Sequence, residues 1–514
     1  MAMSDVRDLL LASRLDSSRV AGLLAPYGLM DCDKADANLQ AAAGEPGERL
    51  LLSEILPDLL ACIAGSANPD QALTYFERFA GAASSKAHLF TYLKNSRQAL
   101  DILAKSLGGS AYMAEILIRD PHHFYWVTDP QILHRIRRKR EIQRDLIQTL
   151  KRLRQEDKQL GYLRAVKRRE MLLIGVRDLL RIATVEETLT ALSVLAEALI
   201  SATYAICATA LRRIHKIPPK VFSKFTIFAM GKLGGGELNF SSDVDLMFLY
   251  RSNDEKAPGI SAQEYFRRLA QRITAGLSSF TGEGYVYRVD LRLRPEGDAG
   301  NLADPLDGYE RYYRTRMGNW ERLALLKAWP VAGSWTLGRQ FLEMSRPFIF
   351  TPAFDREALA DVREMKAKLD EKVSARGQTD RNVKLGTGGI REIELVVQSI
   401  QATHGDRLPQ ILNRNTLRSL VALRGHSLLT HAEFTTLQRA YLFLRDVENK
   451  LQMVDDAQTH SLPRELEELR TCARLLGYLE TTPTESPSDP FLRDYQQHTR
   501  GVNQIFEKIV GRSV

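Results

Sequence analysis

One stretch limits the possible folds of this chain more than any other: Gly231 to Leu246, GKLGGGELNFSSDVDL. The runs around it, FTIFAMG (225–231) and VDLMFLY (244–250), are short and rich in β-branched and aromatic residues, so they read as strands joined by a glycine-rich turn. Alternation along a strand sends Asp243 and Asp245 to one face. Two carboxylates so close repel unless a cation separates them, and hard oxygens suit Mg²⁺. A turn containing Gly231, Gly234 and Gly235 lets backbone N–H groups approach phosphate oxygens. A third acid, Asp290, lies in YRVDLRLRP, which reads as part of a strand over 285–293. On that strand Arg288, Asp290, Arg292 and Arg294 share a parity, so the carboxylate would hold a second metal while the arginines bind phosphate. Two such ions, about 3.5–4 Å apart, stabilise the entering and leaving oxygens of a displacement at phosphorus.

Each piece alone has a plainer reading. Asp-x-Asp is commonly an exposed loop, Gly-Gly-Gly a turn, and arginine alternating with apolar residues a solvated strand face. Their conjunction points to phosphoryl transfer. Two other phosphate motifs are excluded: Walker A needs Ser or Thr after Lys232, where Leu233 stands, and no βαβ repeat surrounds the glycines.

The rest of the chain reads as helix. Residues 1–84 form a region of short helices, and 85–213 carry longer, charged ones. RIRRKREIQRDLIQTLKRLRQEDKQL places Ile142, Leu146, Leu150 and Leu153 near helical spacing, chiefly as a solvated basic face. Pro218 and Pro219 break the run. The expected division is a helical region 1–84, a catalytic domain 85–350 with a helical first part, and a helical bundle 355–514. In the bundle, Leu437, Tyr441, Leu444, Val447 and Leu451 form an amphipathic stripe. TTPTESPSDP (481–490) reads as a polar loop. The expected fold class is mainly α with an embedded α/β domain.

Charge and cysteine usage narrow the setting. The excess of 71 basic over 63 acidic residues, net +8, is far below that of a dedicated nucleic-acid binder. Four scattered cysteines exclude a disulfide scaffold or cysteine zinc site and fit a reducing cytoplasm. The start of the chain lacks a signal-peptide core, and no window approaches 18 uncharged apolar residues, so no membrane span is expected.

With these residues in view, the sequence resembles the glutamine synthetase adenylyltransferase/deadenylylase family, whose cores belong to the DNA polymerase β-like nucleotidyltransferase superfamily. The resemblance rests on GKLGGGELNFSSDVDLMFLY and YRVDLRLRPEG, then on YYRTRMGNWERLALLKAWPVAG (312–333), KLGTGGIREIELVVQ (384–398) and LRDVENKLQ…QTHSLP (444–463). It spans roughly residues 85 to 470. Full-length members carry two such cores, one attaching AMP to a tyrosine of glutamine synthetase and one removing it by phosphorolysis to give ADP. This chain has one core, most similar to the removing half in Asn239-Phe240-Ser241-Ser242 and Gly389-Ile390-Arg391-Glu392.

The resemblance implies a metal triad of Asp243, Asp245 and Asp290 with two Mg²⁺ ions. It implies a phosphate turn of Gly231, Gly234, Gly235 and Ser242, phosphate ligands Arg292 and Arg294, and a pocket completed by Lys232, Glu321, Arg322 and Lys327. Expected partners are glutamine synthetase, ATP or ADP, inorganic phosphate and a nitrogen-signalling protein. The alternatives are ATP-dependent adenylylation by the same core and a catalytically silent binder of glutamine synthetase. Two segments depart from the family's wording: NLADPLDG (301–308), and Ala328-Trp329-Pro330 where a basic contact is usual. Gly388 and Gly389 start a helix either at an anion or against a neighbouring helix. His404 and His460 read as structural.

Overall fold

In the computed structural model, the described residues are 5–12, 15–218, 220, 223–254, 256–257, 259–350, 356–375, 377–480 and 486–511. The expected boundary at 350–355, Pro219 and half of the 481–490 loop fall outside them.

Strands β1 (Phe225–Ala229) and β2 (Val244–Tyr250) pair antiparallel and form the centre of a five-stranded sheet. The free edge of β2 takes two short parallel strands end to end: β3 (Val289–Asp290) beside Val244 and Asp245, and β4 (Ala303–Pro305) beside Phe248 to Tyr250. On the other side β1 pairs antiparallel with β5 (Trp329–Gly333). The expected strand over 285–293 is therefore only two residues long. Asp290 Oδ1 accepts the backbone N–H of Arg292 at 2.8 Å, which turns the chain, and Pro295 has no N–H for a ladder. Arg292 and Arg294 thus lie in a turn, and a shared strand parity does not place them.

Alternation in β1 and β2 supplies both faces of the sheet. Phe225, Ile227, Val244, Leu246 and Phe248 enter one core, and Phe228, Met247 and Leu249 another. The first face is covered by α2 (Val185–His215), on which α1 (Glu156–Leu179) packs, and, beyond the glycine turn α3 (Gly231–Gly235), by α4 (Ala262–Ser278). Phe225 stacks on Tyr204 of α2 at 5.7 Å and on Phe266 of α4 at 5.5 Å. The second face meets α5 (Leu306–Arg316) and α6 (Trp335–Ile349), with Phe228 4.7 Å from Phe341. The first core continues without interruption from Val6 to Ala332, across the position where a boundary at 84/85 was expected.

Helix α2 is an exception to the membrane expectation. It has 31 residues, enough by length and composition to cross a membrane, but 56% of its most apolar window is buried inside the protein. The basic run before α1 breaks at 151–155 between two helices, so Leu153 does not share a helix with Ile142. Some of its charges are matched internally: Arg137 pairs with Asp145 and Glu170, and Lys139 with Glu197 at 2.6 Å.

The C-terminal region has its own core, built on α7 (Ile390–His404), α8 (His431–Asp455) and α9 (Ser488–Phe506). At the start of α7, Gly388 has φ +69°, and a β-carbon there would stand 1.8 Å from the carbonyl oxygen of Thr499 in α9. Close helix packing accounts for that glycine. The amphipathic stripe of α8 is buried as expected, and so are polar residues within and beside it. Arg445, Glu448, Asn449, Lys450 and Gln452 are all 0% exposed, turned onto the sheet domain.

Candidate active site

Three aspartates lie near one another where β2 begins. Asp245 stands directly beside Asp290 in the parallel β2–β3 register, and Asp243 is two residues before Asp245. Burial, and then the charge of Asp290, raise the Asp245 carboxyl to about 6, and the charges of Lys384 and Lys232 offset this only in part. Asp290 is pushed up by burial, but hydrogen bonds from Arg292 outweigh this and leave it below the ordinary carboxylate range. Asp243 has both oxygens engaged: Arg288 Nε donates to Oδ1 at 2.7 Å and Gln458 Nε2 to Oδ2 at 3.1 Å. Arg288 is itself held by the Tyr285 hydroxyl and the Ser241 carbonyl.

Turn α3 lies against the acids. Its ladder partner is direct, Met230 N–H to Asp245 O at 2.9 Å. Gly231 has φ +53°, and a β-carbon there would stand 2.5 Å from Asp245 Oδ2. At Gly234 a β-carbon would stand 2.0 Å from the carbonyl oxygen of Lys327. Both glycines are required by close approach, one to a carboxylate and one to the β5 side of the sheet. Ser242, 9% exposed, has a buried hydroxyl without a hydrogen-bond partner beside Asp243.

The donor set fits a divalent cation. The oxygens are hard, the carboxylates of Asp245 and Asp290 press on one another, and the room over Asp245 is kept by the missing side chain of Gly231. Among the described residues no ready-made cluster of three His, Cys, Asp or Glu ligands is closed up. Arg292 and Arg288 stand as counter-ions to Asp290 and Asp243.

The other cations named in the sequence are distributed differently. Arg292, 72% exposed in its side chain, grips Asp290. Arg294 is 6% exposed and donates to the carbonyls of Leu291, Gly300 and Asn301, pinning its own loop. Lys327 gives its three N–H groups to Glu237 at 3.0 Å, Glu394 at 2.9 Å and the Thr416 hydroxyl at 3.3 Å, which leaves none for phosphate. Lys232 pairs with buried Glu448 at 2.7 Å, and burial lowers its ammonium to about 7. Glu321 accepts the Gly318 N–H and the Tyr312 hydroxyl at the start of its helix, and Arg322 donates to the Phe348 carbonyl.

Sequence comparison assigns the chain to a family. Residues 100–344 match the family model of glutamate-ammonia ligase adenylyltransferase, and residues 363–510 match that of GlnD PII-uridylyltransferase. A bifunctional glutamine synthetase adenylyltransferase/adenylyl-removing enzyme of Vibrio parahaemolyticus is 39% identical over 68% of this chain and 37% of its own length. The protein of the same name from Thioalkalivibrio sulfidiphilus is 36% identical over 80% of this chain and 42% of its own length. That of Xanthomonas campestris pv. campestris is 44% identical over 50% of this chain and 27% of its own.

The chain belongs to the glutamate-ammonia ligase adenylyltransferase family. It is thus a member of a nucleotidyltransferase family, and it spans less than half the length of these relatives. Within the family frame, both departures in wording fall on structural elements. Residues 303–305 form β4, and Trp329 opens β5 with the Arg414 guanidinium 4.3 Å above its ring.

Sequence reasoning missed the contribution of the C-terminal region to the candidate site. Gln458 reaches Asp243, Lys384 adds charge near Asp245, and Glu448 holds Lys232, with His460 Nδ1 3.0 Å from the same carboxylate. The available signal was the pair of segments KLGTGG and QTHSLP, whose residue types carry no chemistry on their own.

Proposed function

We propose that this chain is a magnesium-dependent nucleotidyltransferase with a DNA polymerase β-like core that regulates glutamine synthetase, chiefly by removing AMP from an adenylylated tyrosine. The reading is carried by Asp243, Asp245 and Asp290 converging beside a glycine turn in a member of this family. An oxygen of inorganic phosphate attacks the adenylyl phosphorus, the bond from phosphorus to the tyrosine oxygen breaks, and ADP and tyrosine result. Bound Mg²⁺ would supply charge neutralisation at the phosphoryl oxygens and the leaving tyrosinate. The residues of the chain set the geometry. Arg288 fixes the Asp243 carboxylate, β3 presents Asp290 next to Asp245, and Gly231 keeps space over Asp245. The tyrosinate, with an ordinary pKa near 10, leaves without a strong acid.

The site lies in the cytoplasm in this reading, with glutamine synthetase as the protein substrate. The second reading, adenylylation with ATP, uses the same acids, and the relatives' names carry both activities. The deciding experiment incubates the chain with adenylylated glutamine synthetase, Mg²⁺ and phosphate, and separately with unmodified enzyme and α-labelled ATP. Release of ADP in the first is expected. Efficient labelling in the second with no ADP in the first reverses the direction, and neither reaction leaves the silent binder.

A further inference from the structure

Beyond α8 the chain continues as an irregular strip in which alternate residues face different parts of the molecule. Asp455, Ala457, Thr459 and Ser461 line a cleft of about 860 Å³, whose far wall includes Met30 and Asp70. The intervening residues face the acid Asp243 or the residues that surround the acid site. The Asp456 carboxylate takes the Tyr285 hydroxyl at 3.4 Å, and its carbonyl accepts the Ser241 hydroxyl at 2.7 Å. Gln458 reaches Asp243, and His460 lies beside Glu448. One turn earlier, Gln452 Oε1 accepts the Ser241 N–H at 3.1 Å, and Asn449 Oδ1 accepts the Phe240 N–H at 3.3 Å. The residues immediately before the first acid therefore hang from the C-terminal helices.

We propose that Gln458 is a positioning residue for the acid site: with Arg288 it clamps the Asp243 carboxylate, one oxygen each, so that the sheet domain and the C-terminal bundle set its plane together. The inference rests on the reading of Asp243 as a cation ligand. A carboxylate held by Arg288 alone can rotate about its last torsion and turn its second oxygen away from that cation, whereas Gln458 on the second oxygen removes this freedom. The Gln458 amide is neutral, so it orients the carboxylate without competing in charge with a cation. Partners of this kind, one step behind a metal ligand, commonly change metal affinity by about 10–100-fold when removed.

The test is Mn²⁺ binding to the full chain, followed by calorimetry alongside the thermal unfolding midpoint. Gln458 is exposed, so Gln458→Met, similar in length but without N–H groups, should fold normally. Wild type is expected to bind Mn²⁺ and Asp245→Asn to lose it. Gln458→Met should bind about tenfold more weakly, with an unchanged midpoint and unchanged nucleotide binding in the absence of divalent cation. Wild-type Mn²⁺ affinity in Gln458→Met, or a loss matched by a fall in the midpoint, overturns the positioning role while the acid site stands. Failure of wild type to bind Mn²⁺, or full binding by Asp245→Asn, overturns the acid-site reading underneath.

Discussion

A single methyl group separates Gly231 from an unusable site. The β-carbon of alanine there would press on Asp245 Oδ2, and the positive φ adds strain that only glycine avoids. The glycine is required locally and the sheet below is untouched. Gly231→Ala should therefore give a soluble, folded protein whose turnover falls by at least about tenfold, checked by activity beside circular dichroism. Asp245→Asn tests the charge instead of the space. It keeps the shape, relieves repulsion with Asp290, and should leave stability equal or higher while turnover drops by orders of magnitude. Near-wild-type turnover in that variant would remove the carboxylate from the chemistry. Arg294 belongs to a different account. Its planar fork serves loop carbonyls, so Arg294→Lys should cost about 1–3 kcal/mol in urea unfolding and leave phosphate affinity in the intact fold nearly unchanged. Weakened phosphate binding at full stability would return it to the role that the family resemblance implies.

At the scale of elements, strands β1 and β2 were legible because both are buried on two faces and read as continuous apolar runs. β3 was legible only in part. Apolar and arginine residues alternate over 285–293, but Asp290 binds the Arg292 N–H and ends the strand after two residues, a local contest that periodicity does not register. The acids were legible for their spacing. Lys327 was not, because a buried lysine and a solvated one look alike until Glu237 and Glu394, distant in sequence, are seen to surround it. The same holds for α8, whose apolar stripe was evident while the burial of Arg445, Glu448 and Asn449 was not. Replacing Asn449 with Leu leaves the Phe240 N–H and the Asn239 amide without their acceptor. The expected loss is about 2–6 kcal/mol, since buried donors without partners cost about 1–3 kcal/mol each. Equilibrium unfolding in urea measures it, and a loss below about 0.5 kcal/mol would show that the loop has other support.

The whole molecule divides by core but not by function. Nearly all of the first apolar core lies between Val6 and Ala332, and the sheet's second face is closed by α5 and α6, so a fragment ending at residue 350 keeps its apolar interior. What it loses is polar: Glu448 for Lys232, Glu394 and Thr416 for Lys327, Asn449 and Gln452 for residues 239–241, and Gln458 for Asp243. Hydrophobic burial sets whether the sheet forms, while these buried polar contacts set where the acids stand. A fragment of residues 1–350 is therefore expected to show native-like protection from hydrogen exchange in β1 and α2. The amides of Phe240 and Ser241 should exchange as in an open loop, and turnover should be lost. If that loop stays protected without the C-terminal helices, the sheet domain alone organises the site. If it opens as expected, the acids depend on contacts from a bundle more than 200 residues further along the chain, as the separation of Asp243 from Gln458 by 215 residues requires.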